Sequence, residues 1–203
     1  MKMPAAILIG ATVLSFVLTS TVCAGPLEDA HEADARHDYA TALGIIRPLA
    51  ERGNAVAQNE LGDMYYEGRG VPQAEAEAVK WYQRAALQGI PAAQHMLALS
   101  YEYGTGLVRN DAEALKWLRR AAEQGYGASQ HRLGEMYEKP WRWGEKIGIT
   151  QDYVEAHKWF NLSAASGEPG GAMVRAELER QMTPAQIDEA QRRAAAWKPK
   201  PGR

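Results

Sequence analysis

His95 and His131 are the side chains best placed for metal or proton chemistry, 36 positions apart, with Glu135 one helical turn beyond the second. Imidazole is a common metal ligand and titrates nearest neutral pH. A metal site needs three or four ligands, and this pattern offers one carboxylate. His31, His37 and His157 fall at no ligand spacing. No metal or other cofactor is therefore expected. The chain holds no Gly-x-Ser-x-Gly elbow, no His-Glu-x-x-His pair and no phosphate-binding loop. A glycosidase needs two carboxylates facing across a cleft, and nothing singles out such a pair among the 25 Asp and Glu residues. No catalytic residue is assigned, and the chain reads as a non-enzyme.

Recognition chemistry is better represented. Pro140 is followed by Trp141, Arg142 and Trp143. Trp and Arg are enriched among residues that dominate binding energy, and loops held on a rigid scaffold often carry function. The alternative reading is that both rings fold back over apolar helix ends. A second candidate set comes from comparing equivalent positions 36 apart. Asn59, His95 and His131 form one series, Glu60, Met96 and Arg132 another, and Asp63, Leu99 and Glu135 a third. Positions that change between units are free to face water or a ligand. The candidate partner-binding residues are thus Trp141, Arg142, Trp143, Asn59, His95, His131, Asp63 and Glu135. Their mixed chemistry suits a peptide or protein more than one small metabolite.

The whole chain bounds these readings. It has 203 residues, is 46% hydrophobic and carries a formal charge of −2. That balance is ordinary for a globular protein and lacks the basic excess of a nucleic-acid binder. One cysteine, Cys23, excludes a disulfide framework and a thiolate zinc cluster.

Residues 1–24 read as an export signal. Lys2 precedes an apolar run of 14 residues from Ala5 to Leu18, and Val22-Cys23-Ala24 places small residues before a cut after Ala24. The run is short of the ~20 residues that span a bilayer comfortably. A retained anchor is the alternative. A lipid on Cys23 is disfavoured by Val22, where lipoprotein signals usually carry a small residue. Cleavage would remove the only thiol, and stability would then rest on packing alone. The mature protein is expected in the periplasm or outside the cell, as a monomer with possible contact to the cell envelope.

The elements that must position the candidates repeat. Gly53, Gly89 and Gly125 are 36 apart, as are Gln58, Gln94 and Gln130, then Leu61, Leu97 and Leu133, then Tyr65, Tyr101 and Tyr137. Residues 53–88 and 89–124 align without gaps at 16 identical positions of 36. Lys158-Trp159 follows Lys116-Trp117 by 42, so the third unit carries six additional residues. Each unit reads as two helices. Ala57, Leu61, Met64 and Tyr65 form a stripe at helical period, Gly68 to Pro72 interrupt it, and Ala78, Trp81, Tyr82 and Ala85 form the next. The recurrent Trp residues are expected to be buried. The segment 27–52 reads as a shorter leading pair turning at Arg36-His37-Asp38, with Pro48 bending its second helix or shifting its start. Thr183, Pro184 and Gln186 announce a last helix with a capping box. The expected organisation is a signal at 1–24, a leading pair at 27–52, repeats at 53–88, 89–124 and 125–167, a helical cap at 168–197 and a tail at 198–203.

The string Leu61-Gly62, Tyr65, Gly68-x-Gly70-Val71, Ala78-x-Lys80-Trp81-Tyr82, Ala85-Ala86 and Gly89 resembles the Sel-one-like repeat (SLR), a subfamily of the tetratricopeptide-like helical repeats. The resemblance covers 53 to 167 clearly and the flanks loosely. It implies an all-α fold, a right-handed α-solenoid of stacked helix-turn-helix repeats with a C-terminal capping helix. It also implies scaffold or adaptor work on protein partners through a concave face. The third loop departs from the Gly-x-Gly pattern, and the cysteine pairs of one exported branch are absent. Three functions are thereby weighed: an exported protein-binding scaffold, a cell-wall glycan-binding module that stacks sugars on Trp and Tyr, and a hydrolase.

Overall fold

Five of the helix starts among the described residues are set by short polar side chains that accept from otherwise unpaired backbone amides. Asn54 Oδ1 accepts from Ala57 N at 3.0 Å, Asn110 Oδ1 from Ala112 N and Glu113 N at 3.1 Å, and Asp152 Oδ1 from Glu155 N at 3.0 Å. Thr183 Oγ1 accepts from Gln186 N while Gln186 Oε1 accepts from Thr183 N at 2.9 Å, a reciprocal capping box with Pro184 in the first turn. The computed structural model describes residues 25–140 and 148–202. Among these residues there are ten helices: α1 (Pro26–Ala35), α2 (Tyr39–Glu51), α3 (Ala55–Glu67), α4 (Glu75–Leu87), α5 (Pro91–Tyr103), α6 (Asp111–Glu123), α7 (Gly127–Glu138), α8 (Tyr153–Ala165), α9 (Gly171–Glu179) and α10 (Pro184–Ala196). None of them is long and apolar enough to cross a membrane. Residues 1–24, which carry the proposed signal, lie outside the described residues.

Each helix from α1 to α9 packs against its neighbours in sequence, and α10 folds back onto α8. This all-local pattern is that of a helical repeat solenoid. The all-α repeat architecture expected above is the one observed. Pro48 sits inside α2 without ending it. The amide it lacks would have served the carbonyl of Gly44, on an exposed side of the helix.

Recurrent residues supply the joints. Gln58, Gln94 and Gln130 are buried, and each donates through Nε2 to the carbonyl of Ala50, Ala86 or Ala122 in the preceding helix, at 3.1 Å every time. Gln88 and Gln124 donate back to the side-chain oxygens of Gln58 and Gln94 at 2.7 Å. This ladder satisfies amides buried in the stack. It stops at the third unit, where Ser166 stands in place of Gln88 and Gln124 and Gln130 Oε1 has no hydrogen-bond partner.

The inter-helix loops are also shared joints. Gly70 and Gly106 adopt φ of 70° and 73°. A Cβ on Gly70 would come within 2.8 Å of the Tyr39 carbonyl oxygen, and one on Gly106 within 2.6 Å of the Glu75 carbonyl. Each loop thus rests its second glycine on the first turn of the preceding unit's second helix, which only glycine permits. The base of the loop is closed by Ala74 N donating to Tyr65 O at 2.9 Å and Asn110 N to Tyr101 O at 2.8 Å. In the third unit Asp152 N donates to Tyr137 O at 3.0 Å. The insertion therefore leaves the base of the loop unchanged.

The core is filled by small residues against large ones. Ala85, Ala86, Ala121 and Ala122 are buried and let helices approach closely. Trp117 and Trp159 are 7% exposed, as expected of recurrent aromatics. Trp81 is instead partly exposed, with the Arg84 guanidinium 4.3 Å from its ring centroid. It packs toward α2 and α3, where the thin leading pair supplies less cover than a full repeat. At the other end Leu178, Met182 and Ala190 close over Ala156 and Phe160. Two helices, α9 and α10, therefore cap the stack on α8.

Candidate partner-binding surface

The odd-numbered helices carry the candidate positions, and their side chains are largely engaged with one another. Asn59 Nδ2 donates to Asp63 Oδ2 at 3.1 Å, and Tyr82 Oη on α4 donates to Asp63 Oδ1 at 2.7 Å. Burial is the main influence on the Asp63 carboxyl and pushes it up to about 6, against the hydrogen bond from Tyr82. Nearby on the same side, His31 Nε2 meets Glu60 Oε1 at 2.6 Å, and Arg69 pairs with Asp34 and with Glu67. A small cavity of about 90 Å³ lies among His31, Asp34, Ile46, Glu60, Met64 and Arg69.

The middle unit is less polar. His95 Nδ1 lies 2.8 Å from Ser129 Oγ on α7, and its ring tilts against Tyr126 at 5.3 Å between centroids. Burial first, and Arg132 second, lower its pKa to about 4, so it is neutral at physiological pH. Met96 and Leu99 accompany it, half-buried.

The third unit forms a charged knot. Arg132 on α7 pairs with Glu102 on α5, donates from Nη1 to Glu135 Oε2 at 2.7 Å, and donates from Nη2 to Tyr103 Oη at 2.7 Å. Its charge is held firmly, because these partners outweigh the cost of burial. His131 packs edge-on against Phe160, with centroids 5.4 Å apart and its Nδ1 buried without a partner.

Asn59 and Asp63 are thus brought together, as are His95 with α7 and Glu135 with Arg132. His131 is turned into the α7–α8 interface. Trp141, Arg142 and Trp143 lie outside the described residues. The three candidates for metal chemistry point to different partners. Among the described residues, no group of three or more His, Cys, Asp or Glu side chains could hold a metal ion. Reasoning from sequence missed Glu102, Tyr103 and the His31–Glu60 and Arg69–Asp34 pairs. The signal for Glu102 and Tyr103 was present. Tyr66-Glu67 of the first unit becomes Glu102-Tyr103 in the second and Glu138-Lys139 in the third.

The Sel1 repeat family model matches residues 55–90, 91–126 and 127–168, more than half of the chain. Among solved structures the chain is similar to a Sel1 repeat protein from Oxalobacter formigenes. The two are 34% identical with a TM-score of 0.64, over 72% of this chain and 58% of that one. It is also similar to a protective antigen present in uropathogenic Escherichia coli strains that displays an SLR fold. There the identity is 27% and the TM-score 0.57, over 77% of this chain and 40% of that one. The chain spans less than two thirds of the length of either structure. No curated protein matches it.

Proposed function

Since the chain belongs to the Sel1 repeat family, whose scaffolds typically mediate protein–protein interactions, we propose that it is an exported adaptor that binds a protein or peptide partner. The partner is held on the inner, concave side, which we assign to the odd-numbered helices, with help from the third inter-helix loop. One observation carries this reading. The residues that recur between units are used in packing: the buried Gln ladder, the small Ala pairs and the loop glycines. The residues that vary lie partly exposed at equivalent places on α3, α5 and α7. They give that side an acid–base cluster at each end and a more apolar middle around His95, Met96 and Leu99. Mixed chemistry on a rigid frame favours a shaped polypeptide surface. No reaction is assigned, in keeping with the general non-enzymatic character of this family. Export rests on Lys2, the apolar run and Val22-Cys23-Ala24.

The test uses the full-length protein as bait in a cell-envelope extract, beside purified peptidoglycan. Wild type should capture a discrete protein. Trp141→Ala with Trp143→Ala should weaken that capture while leaving thermal stability nearly intact. Retention on peptidoglycan without a protein partner would replace this reading by glycan binding. Intact mass from the envelope fraction should begin at Gly25. A full-length chain confined to the cytosol would end the export proposal.

A further inference from the structure

After α10 the chain does not leave the solenoid. It turns back across the ends of the even-numbered helices, on the turns that close each unit. Those turns repeat closely, with Gly53, Gly89 and Gly125 at φ of 94°, 94° and 95°. The Trp197 ring lies over Gly125, 3.6 Å from where a Cβ would stand. Lys200 N donates to the Glu123 carbonyl at 2.8 Å, and its Nζ reaches Glu123 Oε1 at 2.9 Å. Gly202 then lies on Gly89 and Gln124. A Cβ on Gly202 would meet Gln124 Oε1 at 2.5 Å and the Gly89 carbonyl oxygen at 2.9 Å. The segment runs from the Gly125 turn, which Trp197, Lys200 and Gly202 all touch, to the Gly89 turn, which Gly202 reaches.

Three features give this row the character of a recognition track. The segment lies close on bare glycine turns, 3.4 Å from where a Cβ on Gly89 would stand and 3.6 Å at Gly125, and it makes its nearest approach through Gly202, which itself has no side chain. The helix C-termini at each turn carry partial negative charge, and Glu123 adds a full one, which favours lysine. Pro199 and Pro201 alternate with Lys198 and Lys200, and this composition is preset for an extended conformation at low entropic cost. The tail also leaves the row incompletely used. A hollow of about 430 Å³ remains among Arg120, Glu123, Gln124, Lys200 and Pro201. Leu87, the equivalent of Glu123 in the preceding unit, is 69% exposed. Gly53, next in the row, has nothing within 4 Å of where a Cβ would stand.

We infer that this row of turns is a docking track for an extended, lysine- and proline-bearing segment of a protein partner, and that the chain's own residues 197–202 hold it until such a segment displaces them. A partner segment that reaches Leu87 and the open turn at Gly53 gains contacts that residues 197–202 do not make. The tethered tail acts at high effective concentration, so a short competitor binds poorly until the tail is unseated. The track lies at the helix ends and is independent of the odd-numbered helix surface described above.

The test keeps the full chain and uses a fluorescein-labelled peptide with the sequence of residues 197–202. Lys200→Glu with Gly202→Val removes the ion pair and forces the clash at Gln124, unseating the tail. Fluorescence anisotropy should show this variant binding the probe at least tenfold more tightly than wild type. Adding Glu123→Gln, which removes the carboxylate without rebuilding an ion pair to position 200, should abolish the gain. Equal binding by wild type and the unseated variant overturns the inference, as does the absence of binding by the unseated variant. A wild-type mass that doubles with concentration, and does so only with the tail intact, would seat the tail on a second copy and overturn the intramolecular strap.

Discussion

Gly62 on α3 lies directly beneath the ring of Tyr82 on α4, so close that a single added methyl would come to 2.6 Å of Tyr82 Cε1. The same relationship holds one unit apart on either side of a variation. A Cβ on Gly134 would come to 2.7 Å of the Phe160 ring, while the middle unit places Ala98 opposite Leu118. A small residue accompanies an aromatic, and a slightly larger one accompanies a smaller aliphatic. Volume is conserved across the helix pair because the interior has no slack.

Gly62→Ala alone should therefore destabilise the protein by about 1–3 kcal/mol through overpacking, in spite of alanine's better helix propensity. Combined with Tyr82→Leu it reproduces the pairing of the middle unit. The double variant should lose less stability than the two single losses added together, by at least ~1 kcal/mol of coupling. Urea unfolding of the four proteins measures this. Additive losses would show that the two positions do not share one space.

The Gln ladder makes a second prediction. Ser166 is too short to reach Gln130 Oε1, which is left buried without a partner. Ser166→Gln continues the pattern of Gln88 and Gln124 and should stabilise the protein by about 0.5–1.5 kcal/mol, the net value of one buried hydrogen bond. An unchanged or lower unfolding midpoint would mean that the third joint cannot accept the longer side chain.

Asp63 and His95 should tilt stability with pH in opposite directions. Burial raises the Asp63 carboxyl to about 6, so between pH ~4 and ~6 the folded chain holds a proton that the unfolded chain releases. Its contribution falls as pH rises through that window. Burial lowers His95 to about 4, so between pH ~4 and ~6.5 the unfolded chain holds a proton that the folded chain has lost. Its contribution grows as pH rises. In wild type the two effects largely cancel. Asp63→Asn should make stability rise from pH 4.5 to 7, and His95→Gln should make it fall, each by about 1–3 kcal/mol. Thermal unfolding at those two pH values checks both signs, and tilts of the same sign in the two variants would refute the assignment.

The recurrent Trp residues are not equivalent. Trp117→Ala empties a buried aromatic site and should cost about 3–5 kcal/mol. Trp81 is only partly buried, beneath Arg84, and Trp81→Ala should cost about 1–2 kcal/mol. Equal losses would place the Trp81 ring in the core.

The sequence by itself determined the architecture of this protein. Repetition at 36 residues, apolar stripes at helical period and local signals such as Thr183 with Gln186 are short-range features, and a solenoid is built from short-range contacts. The Gly-x-Gly loops and the buried Gln series were visible as recurrences, because each unit must meet its neighbour in the same way. What lies between elements far apart in the chain was decided by tertiary structure. Recurrence marked Trp81 and Trp117 alike, yet the thin leading pair leaves only the first uncovered. The variable positions were legible as a set, but not that Asp63 is held by Tyr82, that Arg132 gathers Glu102, Glu135 and Tyr103, or that His131 turns inward against Phe160. Those outcomes depend on how much space and charge a facing helix supplies, and one helix's sequence does not record its neighbour's. The tail is the clearest case. Nothing in Lys198-Pro199-Lys200-Pro201-Gly202 names a destination. Its seat exists only once the solenoid has aligned Gly89 and Gly125 into a row.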